Sequence, residues 1–194
     1  MTSRENLSQS RVLILGRKQE VLDGILGQLR ELGLNVRGSA TPEHADTEFD
    51  AREFDLIVFG SGAVGPLSER LRREFARRNP TVRFLDAFAP IAVRQIAAAV
   101  SGRPDLLEDF ATVADGAGVR IRGTMREPST VTVTLYRLVE GGVDPEQLDR
   151  SQVGSGQYEF PVTAETLAGG QVLVVTVGED EFHLYKITSL AAAS

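Results

Sequence analysis

The chain has 194 residues, a hydrophobic fraction of 42%, no cysteine and a formal charge of −6, enough for one large domain or two small ones around a real core. The lack of cysteine excludes a disulfide scaffold and favours a reducing compartment, and no apolar run reaches the roughly 18–20 residues that span a bilayer. Residues 1–104 carry 15 Lys and Arg against 13 Asp and Glu, while residues 105–194 carry 6 against 14; the acidic second half would repel phosphates, which argues against nucleic-acid binding.

Met1 to Ser10 are polar, lack the apolar stretch of a signal peptide, and read as a disordered arm on a soluble, cytoplasmic protein. Arg11-Val12-Leu13-Ile14-Leu15-Gly16 has the look of a buried parallel strand. Val21, Leu22, Ile25, Leu26, Leu29 and Leu32 then recur at helical spacing, and Gly33 stands where that helix should stop. Leu34–Arg37 reads as a second strand, and Thr41-Pro42-Glu43 as the start of a short polar helix capped by Thr41. A strong strand follows at Asp55–Gly60, then a helix from Pro66 with Leu67, Leu71 and Phe75 on one face. Val82–Leu85 reads as a fourth strand, and Pro90 opens a helix that Gly102 closes. Such alternation predicts an α/β domain over residues 11–103, with a parallel sheet covered on both faces.

Pro104, Gly116 and Gly118 mark a linker over residues 104–118, with a short helix over Asp105–Val113 whose Leu106, Phe110 and Val113 would dock between the halves. From Val119 the apolar period becomes two. Val119–Met125, Val131–Tyr136, Tyr158–Val162, Val172–Val177 and Phe182–Ile187 read as five half-buried strands, making residues 119–190 a small all-β antiparallel sandwich domain. The acidic, glycine-rich stretch between Val139 and Gly156 reads as a mobile link.

The sharpest local pattern is Gly60-Ser61-Gly62-Ala63-Val64-Gly65, followed after 21 residues by Asp86. It has the G-x-G-x-x-G spacing and resembles the Rossmann dinucleotide fingerprint, which implies Gly60, Gly62 and Gly65 against a pyrophosphate and Asp86 on a ribose hydroxyl. A full βα unit precedes it and Pro66 follows directly, so a glycine-rich strand-to-helix turn is the alternative. The arginines of the Pro66 helix (Arg70, Arg72, Arg73, Arg77, Arg78) offer an acidic-partner surface, or else a solvated face with Glu69 and Glu74 interleaved. His44 and His183 are far apart and lack acids at ligand spacing, so no metal site is expected.

Residues 11–102 resemble a response-regulator receiver domain, a flavodoxin-like fold, through Phe54–Phe59 as its third strand and Asp86-Ala87-Phe88 at the end of its last. Gly60 stands where that family has its phosphoacceptor aspartate, Gly16, Arg17 and Lys18 where it has metal-binding acids, and Asp86 where it has a lysine. The resemblance therefore implies a degenerate receiver, short of one βα unit and without phosphorylation chemistry. The second half resembles transthyretin-like or carboxypeptidase-regulatory β modules through Val131–Tyr136, Ser155–Phe160 and Gly169–Val175, which mostly bind or assemble. The expectation is a non-catalytic regulatory protein without cofactor, whose partner is a protein, a second copy of the chain first of all; nucleotide binding at the glycine loop stays open as the alternative.

Overall fold

The computed structural model describes residues 10–60, 62–63, 65–140 and 142–187; residues 1–9 of the arm expected over 1–10, Ser61 and Val64 of the glycine loop, and residues 188–190 of the expected β domain lie outside them. The chain divides into two compact units, Met1–Arg103 and Pro104–Ser194.

The first unit runs β1 (Arg11–Leu15), α1 (Gln19–Glu31), β2 (Asn35–Ser39), α2 (Ala45–Glu48), β3 (Leu56–Gly60), α3 (Pro66–Arg78), β4 (Arg83–Ala87) and α4 (Ala92–Ser101). Its strands form one parallel sheet in the order β2-β1-β3-β4. Strands buried on both faces read as unbroken apolar runs, with successive side chains pointing to opposite sides. Val12, Ile14, Leu56 and Val58 accordingly join α1 and α4 in one core, while Leu13, Leu15, Ile57 and Phe59 join Leu71 and Phe75 of α3 in the other.

Helix α1 stops in a Schellman motif: the Leu34 N–H donates to Leu29 O at 3.0 Å and the Gly33 N–H to Arg30 O at 2.9 Å. The same helix carries Gly24 and Gly27, where an added Cβ would meet nothing within 4 Å. Since interior helix glycine costs about 0.5–1 kcal/mol relative to alanine, Gly24→Ala and Gly27→Ala should each stabilise the unit by about that much, read as a higher urea midpoint by far-ultraviolet circular dichroism. The expected Thr41 cap is corrected: Pro42–His44 form a 3-10 turn ahead of α2, and the Thr41 hydroxyl bonds Ser39 Oγ at 3.1 Å instead of a helix N–H. A short polar side chain next to another hydroxyl finds that partner sooner than an unformed helix end.

The second unit has seven strands among the described residues: β5 (Leu107–Asp115), β6 (Gly118–Met125), β7 (Ser129–Val139), β8 (Gly142–Val153), β9 (Gly156–Thr163), β10 (Gly170–Val177) and β11 (Glu181–Lys186), with the one-turn helix α5 (Ala164–Leu167) before β10. They form two antiparallel sheets, β5-β6-β9 and β11-β10-β7-β8. One apolar cluster draws Val119, Ile121, Tyr158 and Val162 from the first and Val131, Val133, Leu173 and Val175 from the second.

Two expectations are overturned here. The helix expected over Asp105–Val113 is strand β5, because a bulge between Glu108 and Ala111 interrupts the period-two alternation and leaves apolar spacings that mimic a helix. Leu106 and Phe110 pack against the β unit's own cluster, and Val113 is 46% exposed. The mobile link expected between Val139 and Gly156 is largely β8, paired along β7 from Val139–Gly142 to Ser129–Val153. As an edge strand it can be acidic and carry Pro145, because charge and proline are what protect exposed edges.

Tyr158 is 6% exposed and its hydroxyl has no hydrogen-bond partner among the described residues; burial, with the negative charge of Asp149, pushes its phenol up to about 12. An unpaired buried hydroxyl costs about 1–3 kcal/mol, so Tyr158→Phe should leave thermal stability unchanged or raise it, by about 1 kcal/mol. A clear loss of stability would mean that the hydroxyl has a partner.

Candidate functional site

In an open parallel sheet ligands bind beyond the carboxyl ends of the strands, where the strand order reverses. Here that point lies between β1 and β3, at Gly16-Arg17-Lys18 and at the loop from Gly60 to Gly65. The fold thus brings the glycine loop beside the first βα turn, an adjacency that spacing along the chain does not reveal.

Gly60 and Gly62 meet the protein's own chain, and Gly65 does not. A Cβ at Gly60 would lie 3.3 Å from Leu15 O, and one at Gly62 would lie 3.3 Å from three carbons of the Arg17 side chain. Gly65 has φ +77°, which L side chains rarely adopt, and it precedes Pro66 at the first position of α3. Its carbonyl accepts from Ser68 Oγ at 2.9 Å and from the Glu69 N–H at 3.1 Å. Arg17 lies across Gly62: Nε donates to Gly62 O at 2.5 Å, and its guanidinium pairs with Glu43 at 2.6 Å. The Glu43 carboxyl is held below its ordinary value, mainly by its own backbone N–H and, against some desolvation, by Arg17.

Asp86 stands opposite Phe59 in the β3–β4 ladder, and its carboxylate binds Arg72 of α3 at 2.8 Å. The Arg72 guanidinium lies 4.7 Å from the Phe59 ring centre and 5.3 Å from that of Phe84, so it stacks as well as pairs. Other arginines of α3 are also engaged within the unit. Arg70 binds Asp46 at 2.7 Å and Glu43 O at 3.0 Å, Arg78 donates to Asp46 O, and Arg77 pairs with Glu74 at 3.1 Å. Much of the cationic face clamps the 43–46 segment and β4.

A cavity of about 330 Å³ opens beside the glycine loop, between α1 and α4. Leu22, Ile25, Ala92 and Ile96 line it, together with Gly16, Arg17, Lys18, Gly60 and Gly62.

The second unit holds a polar cluster that the sequence reading discounted. Glu181 and His183, two apart on β11, share a face, and His183 Nε2 lies 2.6 Å from Glu181 Oε1. The same carboxylate accepts the N–H groups of Leu106 at 2.6 Å and Leu107 at 3.0 Å, while the His183 ring stacks on Phe110 with centroids 4.5 Å apart. Starting that strand at Phe182 left out the acid; the period-two spacing Glu-x-His was the available signal. Among the described residues no group of three or more His, Cys, Asp or Glu could hold a metal ion, and no helix is long and apolar enough to cross a membrane.

No protein-family model and no curated protein matches the chain. Among solved structures it is similar to a β-glucosidase from Listeria innocua in complex with gluconolactone, at 9% identity and a TM-score of 0.37, over 92% of this chain and 45% of that one. The chain therefore spans less than half of that enzyme's length, and a likeness this weak carries no argument about what the chain does.

Proposed function

We propose that the protein is a non-catalytic regulatory or protein-interaction module: a degenerate receiver-like α/β half joined to a two-sheet β sandwich, working in the cytoplasm. The observation that carries this is the chemistry at the carboxyl ends of the parallel strands. Gly16 and Gly60 stand where a phosphorylatable receiver needs acids, and two charged groups beside them are spent internally, Arg17 on Glu43 and Gly62 and Asp86 on Arg72. The order β2-β1-β3-β4 supports the same reading, being that of a flavodoxin-like sheet without its last strand. Acetyl phosphate should leave the intact mass unchanged; a gain of one phosphoryl group on the α/β unit would end the proposal.

The partner we infer is a second copy of the chain, engaged through strand edges such as β4 or β8, which pair with no further strand among the described residues. Light scattering at tens of micromolar should give a mass above that of one chain, and a strict monomer would remove self-association. The alternative, nucleotide binding through Gly60, Gly62, Gly65 and Asp86, is favoured by one observation, the position of the loop at the point where strand order reverses. Thermal shift with NAD, NADP, FAD and ATP tests it. A ligand at about a hundredfold excess over its Kd stabilises by about 2.7 kcal/mol, and the absence of any shift sinks the alternative.

A further inference from the structure

We propose that the cavity between α1 and α4 is a binding site for a small amphipathic monocarboxylate, its aliphatic body inside and its carboxylate at Lys18. This goes beyond the interaction role, and neither depends on the other. About 330 Å³ lies open to water at the α1–α4 edge, where Val21 and Ile25 keep accessible apolar surface while Leu22, Ala92 and Ile96 beneath are 3%, 2% and 0% exposed. Val21, which also lines the cavity, is 43% exposed, so an apolar lip faces water. At about 30 Å³ per water-sized group, the space suits a molecule of roughly ten heavy atoms, well short of a dinucleotide.

Charge at the mouth selects the head group. Arg17 is already committed to Glu43 and the Gly62 carbonyl. Lys18 also lines the cavity and has no ion pair among the described residues. An apolar sleeve with one uncommitted ammonium at its rim favours a single carboxylate over a neutral or cationic head, because a charged hydrogen bond is about twice as strong as a neutral one.

Octanoate is the probe, titrated calorimetrically into the full chain, with octanol and octylammonium as controls. Saturable one-to-one binding of octanoate is expected, with octanol weaker by about tenfold, the equivalent of about 1.4 kcal/mol, and octylammonium not bound. Lys18→Glu should abolish the preference for the acid. Ala89→Phe, at the exposed mouth, should block binding while circular dichroism and Tm stay as in the parent; Ala92→Leu should fill the cavity from within, so a folding defect in one variant leaves the other decisive. The proposal is overturned if octanoate shows no saturable binding, if octylammonium binds equally well, or if both filled variants bind octanoate normally. Binding of NAD or ATP without octanoate would overturn it while supporting the nucleotide alternative.

Discussion

Glu181→Ala should cost the β unit about 2–4 kcal/mol. One carboxylate accepts the Leu106 and Leu107 N–H groups at the entry to β5 and bonds the His183 ring as well, with only 11% of its side chain exposed. Hydrogen bonds to a charged group contribute about 1.5–3 kcal/mol, and buried donors stripped of their acceptor carry a further penalty. All three tyrosines, Tyr136, Tyr158 and Tyr185, lie in the β unit and the chain has no tryptophan, so tyrosine fluorescence during urea unfolding reads this unit alone. Glu181→Gln, which keeps an acceptor but not the charge, should fall between the two.

The effect has a pH signature. Burial raises the Glu181 pKa, but the bonds from His183, Leu106 and Leu107 and the His183 charge outweigh it, so the folded value lies below the ordinary 4.5. A carboxylate with a depressed folded pKa contributes stability that is fully present above its unfolded pKa and is lost as pH falls through the folded one. The difference between the parent and Glu181→Gln should therefore be present at about pH 5 and shrink below about pH 4.5. A difference that grew as pH fell below about 4.5 would contradict the assignment.

Gly118→Val should be more damaging still, about 3–5 kcal/mol or outright loss of the β unit's folded signal. Gly118 opens β6 at φ +150°, and a Cβ there would lie 2.1 Å from Val162 O and 2.9 Å from Thr163 Cα. Those atoms are backbone of the neighbouring strand β9, paired with β6 in register, so no side-chain rotation relieves the clash. Overpacking and backbone strain each contribute about 1–3 kcal/mol. Tyrosine fluorescence should show the loss while the helical circular dichroism of the α/β unit persists. A Gly118→Val chain with an unchanged fluorescence transition would mean that this strand is placed wrongly.

How much could be read from residues alone follows from what each element buries. β1 and β3 were legible because both faces are covered, so Val12–Leu15 and Leu56–Phe59 are unbroken apolar runs. Helix α1 was legible to its last turn because Gly33 marks the stop. β8 was not, since an edge strand with both Asp144 and Pro145 lacks the alternation that buried strands show. β5 was not, since Asp109 sits at φ +53° within its bulge and shifts the apolar positions out of phase. At the glycine loop the spacing was visible, but Arg17 lying over Gly62 and Arg72 holding Asp86 are contacts across 45 and 14 residues that only a fold creates. The cavity left no mark at all, because side chains that are too small for a space look like ordinary Ala and Gly.

The pairing of β9 with β6, rather than with its sequence neighbour β8, governs how the β unit assembles. β5 meets β6 through a tight turn at Asp115–Gly118, whereas β6 and β9 join residues from Met125–Gly156 to Gly118–Thr163. On a growing chain, the β6 edge destined for β9 stays open until Thr163 has been made, while β7 and β8 can already zip together. Distant pairings pay chain-closure entropy before any contact rewards them, so β6–β9 and the equally distant β7–β10 are expected to form after the β5–β6 and β7–β8 hairpins. Until then Val119, Ile121 and Met125 lie along an open edge, and that edge is where two refolding chains will meet first at high concentration.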